Sequence, residues 1–313
     1  MKVCALAGGV GGAKLASGLQ DVLPPGKLSV VVNTADDFDL WGLHICPDLD
    51  TVMYTLAGIS NPETGWGIVD ESFETLNMLE SYGEETWFKL GDRDLATHIL
   101  RTSRMRSGET LTEVTAGLSG VLGVDSAVLP MSDDPVSTVL ETAEGRLEFQ
   151  EYFVRRGQRD EVLAVGLRGI QDAGPTERVL AAISGADAIV LCPSNPVVSV
   201  GPILALPGMT EALASSSAPK VAVSPIVGGR ALKGPADRML ASLGHEVSAT
   251  GVARMYAGLV DGMVVDRTDE GERAGIEALG MRVLVTQSVM RHAEDRARLA
   301  SETLEFGAGL VAR

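Results

Sequence analysis

Aromatic residues are only 4% of this 313-residue chain, so any core must be built from Val, Leu, Ile and Ala. Cysteine is nearly absent. Cys4, Cys46 and Cys192 are odd in number, far apart and without CxxC or Cys/His metal spacing. That pattern predicts reduced thiols in a cytoplasmic protein, not a disulfide or zinc scaffold. Bases are outnumbered, with 26 Lys+Arg against 42 Asp+Glu and a net charge of −16. This argues against nucleic acid as a partner, which is held by neutralising phosphates, and against docking on an anionic membrane. No stretch approaches the roughly 18 uninterrupted apolar residues of a membrane span. Met1-Lys2 followed by an apolar run begins like a secretion signal, but glycines from Gly8 onward interrupt it too early. The four histidines form no HxxxH pair and no GxSxG elbow occurs, so catalysis by a nucleophilic side chain is not expected.

What is present is the composition of a folded globular protein, 45% apolar and 22% charged. The length would allow about two domains, yet no linker, repeat or low-complexity tract divides the chain. Near-continuous aliphatic runs at Lys2–Ala7, Lys27–Asn33, Ser126–Leu129, Val162–Leu167, Ala188–Cys192, Val221–Ser224, Gly262–Val265 and Val283–Val285 read as buried strands. Most are separated by helical patterns, such as Ala13–Val22 and Thr176–Ser184, the latter with Pro175 as its first residue and Gly185 as its stop. The alternation predicts an α/β fold: a doubly wound, Rossmann-like, mostly parallel sheet covered on both faces. Residues 48–120 show helical periodicity without a convincing strand and are expected to form a mainly helical insertion within one domain spanning 1–313. Val136–Glu141 and Arg146–Phe153 flank the turn Ala143-Glu144-Gly145 and predict an antiparallel hairpin. Val289–Phe306 reads as a closing amphipathic helix.

Candidate chemistry lies at the carboxyl ends of these strands, where ligands bind in such sheets. Gly9, Val10, Gly11 and Gly12, with Lys14 just after, join the first strand to the first helix. Small residues there admit a phosphate to backbone N–H groups and a helix N-terminus. The same turn would serve a bare β–α corner, and it is neither a Walker A loop nor a clean dinucleotide fingerprint. After the second strand, five aspartates (36, 37, 39, 48 and 50) fall within fifteen residues, and Leu28–Phe88 contains twelve acids and no Lys or Arg. Crowded carboxylates repel one another unless a cation joins them, and Mg²⁺ suits one or two carboxylates beside phosphate oxygens. Asp37 and Asp50 are assigned to the metal; Asp48 is expected to cap the helix behind Pro47, and Asp39 to be a solvated loop residue. Lys89 ends the base-free stretch as a candidate substrate contact. Beyond it, Asp92 is expected to cap a helix, with Asp94 and His98 a surface pair one turn apart. Ser194 and Asn195, in the turn after Cys192-Pro193, complete the set.

These segments resemble one family. GGVGGAKL at Gly8–Leu15, NTADD at Asn33–Asp37, CPDLDTVMYTL at Cys46–Leu56, KLGDRDLATHI at Lys89–Ile99, LPMSDDPVST at Leu129–Thr138, CPSNPVVSVGPIL at Cys192–Leu204 and VSPIVGG at Val223–Gly229 are similar to 2-phospho-L-lactate transferases of coenzyme F420 biosynthesis. The resemblance runs in order from the first strand to about Val265. It implies a Mg²⁺-dependent phosphotransferase for substituted phosphate groups. The donor would be guanosine diphosphate carrying lactate or enolpyruvate on its outer phosphate. The acceptor would be the ribityl hydroxyl of the deazaflavin FO, and the products F420-0 or its dehydro form and GMP. The family's FO contacts carry over onto Asp50 and Lys89, and its nucleotide contacts lie along the glycine loop and the Ser194-Asn195 turn. Asp50 is further expected to orient the attacking hydroxyl or accept its proton, and the Trp41 and Trp66 region to cover the deazaflavin. Val10 stands where some family members carry threonine, leaving contact there to the backbone. A homodimer is expected. The alternatives are a non-catalytic regulatory protein of the same fold that binds a nucleotide sugar, and a nicotinamide oxidoreductase.

Overall fold

The computed structural model describes residues 1–311. Seven strands form its main sheet: β1 (Val3–Ala7), β2 (Leu28–Val32), β3 (Ala127–Pro130), β4 (Ala188–Leu191), β5 (Lys220–Val223), β6 (Gly262–Asp266) and β7 (Arg282–Thr286). Their order is β7-β6-β5-β4-β1-β2-β3, and every neighbouring pair is parallel. The aliphatic runs serve both faces by the period-two rule. Cys4 and Leu6 join one core with Val31, Ile189 and Met263, while Val3, Ala5 and Ala7 join the other with Val30, Val190 and Val264. The chain winds outward in both directions from the β1–β4 junction, which opens a crevice at the carboxyl ends of those strands.

Helix α1 (Gly9–Val22) follows β1 directly and lies against α2 (Pro47–Leu56) and the C-terminal helix Ala293–Val311. Between α2 and β3 come α3 (Glu74–Ser81), α4 (Asp92–Arg106) and α5 (Leu111–Val121), in agreement with the expected helical insertion. Its first helix, α2, covers the sheet through Leu49, Val52 and Leu56.

Several expectations need correction. Val162–Leu167 lies outside the parallel sheet; Val162–Arg168 pairs antiparallel with Ser137–Thr142, which also pairs with Gly145–Glu148. Its apolar run misleads because Leu163 faces solvent. The second hairpin arm ends at Glu148, and the chain then coils through a π-helical turn at Glu151–Arg155. Pro175 precedes its helix: Thr176 is the cap, its hydroxyl accepting the Val179 N–H. The last helix starts at Ala293, with Asp295 accepting the N–H groups of Arg291 and His292. A short hairpin, Phe38–Leu40 with Leu43–Ile45, was not foreseen; its turn holds Trp41 and Gly42 at positive φ.

Candidate active site

A cavity of about 820 Å³ occupies the crevice. Its floor is the glycine loop, the first turn of α2 and the turn after β4; its walls include Trp66, Trp87, Phe88, Phe149 and Phe153. The glycines are required by contact. A Cβ on Gly11 would collide with the Pro193 carbonyl, and one on Gly12 with the Ser194 hydroxyl. Ser194 Oγ accepts the Gly8 N–H at 3.0 Å, and Asn195 Oδ1 accepts the Val197 N–H at 2.9 Å. Both turn residues therefore line the cavity while bracing it. Lys14 also lines it, its ammonium donating to the Met290 carbonyl at 3.2 Å.

Asp48 is not the cap of its own helix. It sits in the first turn of α2, buried, and reaches across to accept the Gly9 N–H at 2.7 Å and the Asn33 amide at 3.0 Å. Burial pushes its carboxyl up to about 6, against the pull of those two donors. Asp36 lines the same cavity, is 5% exposed, and has an Oδ1 with no hydrogen-bond partner. Its carboxyl stands well above the ordinary range, from burial first and the charge of Asp48 second. This residue was passed over in sequence because Asp36 and Asp37 cannot be told apart until the loop's direction is known. Asp37 turns the other way, toward His44 Nε2 at 3.7 Å, and lines a second cavity of about 590 Å³. Asp39 is exposed, as expected, and takes His44 Nδ1 at 3.0 Å. Burial alone would lower the His44 imidazole, but Asp37 and Asp39 together raise it.

Asp50 faces the cavity from α2, and its carboxylate is held from behind. Arg101, 1% exposed, grips both of its oxygens, with Nη1 at 3.0 Å from Oδ2 and Nη2 on Oδ1. His98 Nδ1 lies 3.2 Å from Arg101 Nη1 and 3.6 Å from Asp50; His98 Nε2 lies 3.2 Å from Asp94 Oδ1. Tyr54 donates to Asp94 at 2.7 Å. Asp94 and His98 are thus a buried pair, in place of the surface pair expected, and the missed member is Arg101. Its signal was available: Asp94, His98 and Arg101 recur at helical spacing on one face of α4. Asp92 caps α3 instead of α4, accepting from Ser72, Glu74 and Thr75, while Glu71 takes the first N–H groups of α4. Lys89, just before α4, is exposed at the cavity edge. Trp66 lines the cavity; Trp41 packs instead with Ile45 and Leu90, and Trp87 takes the wall position.

Two groups of side chains have metal-ligand proximity among the described residues: Asp50, Asp94 and His98, and Asp37, His44 and Cys46. Asp37 and Asp50, paired in the sequence reading, fall into different groups.

Comparison with known proteins adds to this geometry. The sequence profile described as "2-phospho-L-lactate transferase CofD" matches residues 3–299. The chain belongs to the 2-phospho-L-lactate transferase family. A phosphoenolpyruvate transferase of Streptomyces griseus subsp. griseus is 45% identical over 98% of each chain. A 2-phospho-L-lactate transferase of Methanosarcina acetivorans is 42% identical over 97% of each. Among solved structures, a UPF0052 family protein from Bacillus halodurans shares the fold, with a TM-score of 0.65 at 20% identity over 97% of this chain and 98% of that one. Membership makes the chain a transferase. No described helix is long and apolar enough to cross a membrane.

Proposed function

We propose that this family member transfers a phospholactyl or phosphoenolpyruvyl group from a guanosine-diphosphate-linked donor to the ribityl hydroxyl of FO. The hydroxyl oxygen forms a bond to the donor's outer phosphorus, the anhydride bond to GMP breaks, and the hydroxyl proton passes to solvent water. F420-0 or dehydro-F420-0 and GMP result. The carrying observation is that one cavity is lined both by the glycine loop with Lys14 and by Asp50 with Lys89, between aromatic walls that suit a flat deazaflavin. Relatives named for each of the two acids are almost equally similar to this chain. Either donor undergoes the same step.

Little covalent help is needed for phosphoryl transfer; positioning and charge neutralisation carry the rate. The glycine loop, fixed by Ser194 and Asp48, presents the edge against which the nucleotide phosphates lie. Lys14 offsets part of their charge. Asp50, locked by Arg101 on both oxygens, orients the FO hydroxyl, and Lys89 holds the deazaflavin from the rim. Arg101 fixes the direction of the Asp50 carboxylate, so the role assigned to it is positioning.

Mg²⁺ belongs to the same proposal. The residues fit it: Asp36 is buried with an unpartnered oxygen, and Asp36 and Asp48 are raised as carboxylates lacking a counter-charge are. Asp36 and Asp50 would hold the ion, with Asp37 replaced because it lines the other cavity. When bound, it would supply Lewis-acid neutralisation of the diphosphate. A cytoplasmic homodimer completes the proposal, its mass testable by light scattering.

The test is mass analysis after mixing the protein with FO, Mg²⁺ and each donor, together with Asp50→Asn. We expect GMP and the F420-0 or dehydro product from the native chain, and turnover reduced by orders of magnitude in the folded variant. No consumption of FO with either donor would overturn the assignment.

A further inference from the structure

Beside Lys14 and Lys89, the cavity carries a third ammonium that the sequence did not single out. Lys233, in the loop before the helix Ala236–Ser242, lines the cavity with Lys14. Its Nζ donates to the carbonyl of Thr64 at 2.8 Å, joining that loop to the segment Asn61–Gly67 on the opposite rim. The segment is a compact turn: Asn61 Oδ1 accepts the Glu63 N–H at 2.9 Å, and the Gly65 N–H bonds the Asn61 carbonyl at 2.9 Å. It sits directly over the glycine loop. A Cβ placed on Gly65 would lie 2.7 Å from the Val10 side chain and 3.1 Å from Lys233 Nζ. The ammonium and the Val10 side chain therefore flank the same glycine, and both residues line the cavity.

No carboxylate accounts for it. Lys14 and Lys233 each donate to a backbone carbonyl, and neither forms an ion pair among the described residues. Lys14 is lowered by burial first, then by Arg296 and Lys233, a cluster of like charges in a chain of net charge −16. Cations with no carboxylate partner beside one crevice gain from an anion placed between them. The glycine loop and Lys14 serve the nucleotide from one side; Lys233 approaches from the side of Thr64.

Resting on the proposed transferase reading, we propose that Lys233 is the binding residue for the outer phosphate of the donor, trading the Thr64 carbonyl for that phosphate. It thereby distinguishes the diphosphate-linked donor from the monophosphate product. Once the outer phosphoryl group has moved to FO, the ammonium loses its partner on the nucleotide and returns to Thr64. GMP, no longer held by this ammonium, then leaves.

The test is calorimetric titration of the native chain, Lys233→Met and Lys233→Arg with GDP and with GMP, in Mg²⁺. A charge-assisted contact to the outer phosphate predicts GDP binding weakened roughly ten- to a hundredfold in Lys233→Met, with GMP within about twofold of native. Lys233→Arg should recover most of the GDP affinity, which a merely structural role would not require. Equal losses for GDP and GMP, or no loss for either, overturn the assignment to the outer phosphate. A native chain that binds neither nucleotide removes the transferase reading itself, and this inference with it. A native chain that binds both while Lys233→Met does not discriminate removes the inference alone.

Discussion

Arg101→Met tests the most consequential feature of the site. Arg101 is 1% exposed and bonded to both oxygens of Asp50, so its removal strands a carboxylate on a buried helix turn beside Cys46 and Asp94. Methionine fills much of the volume of the arginine stem, which leaves the lost charge as the main change. Breaking one half of a buried pair costs about 3–5 kcal/mol, against a total stability of about 5–15 kcal/mol for a typical domain. The urea midpoint should fall accordingly at unchanged slope, and turnover should fall with the loss of Asp50's orientation. Asp50→Asn strands the guanidinium and should cost a similar amount. The double variant should be more stable than the sum of the two losses predicts, by at least about 2 kcal/mol, because neither partner is then left alone. A strictly additive cycle, or a loss below about 1 kcal/mol in Arg101→Met, would refute the claim that this pair holds the cavity floor.

Asp36→Asn should raise the melting temperature of the metal-free protein, since it removes an unpartnered buried carboxylate, yet cut turnover and abolish stabilisation by Mg²⁺ in a thermal scan. Asp48 predicts a pH dependence. Its folded-state carboxyl is raised from the ordinary 3.8 to about 6, so the folded form binds the proton more tightly, and this contribution to stability falls as pH rises through that window. Denaturation of the metal-free chain across those pH values should show the decline, and Asp48→Asn should make it shallower, leaving the share of the likewise raised Asp36. Gly12→Ala should cost about 1–3 kcal/mol, because its Cβ meets Ser194 Oγ and, at 3.0 Å, Ala7 Cβ; Ser194→Gly in the same chain should recover part of the loss in chemical denaturation.

Much of this protein is written locally. The aliphatic runs, the glycine turn behind β1 and the helical periodicity of residues 48–120 follow from spacing and side-chain volume, which neighbours in sequence fix between them. Asp50 and Lys89 could be named because short motifs carry them. The role of each aspartate was another matter. Asp36 and Asp37 are adjacent, and only the packed loop sends one into the cavity and the other toward His44. Asp48 looked like a helix cap because its partners, Gly9 and Asn33, lie on other elements. Val162–Leu167 has the composition of a buried strand, and only its pairing with Ser137–Thr142 places it outside the main sheet. Arg101 reaches Asp50 across 51 residues, and Lys233 reaches Thr64 across 169. Periodicity states which face a side chain occupies, but not what another segment brings to that face. The charges of this site were therefore settled by tertiary contact, where burial and pairing decide what each carboxylate and each cation can do.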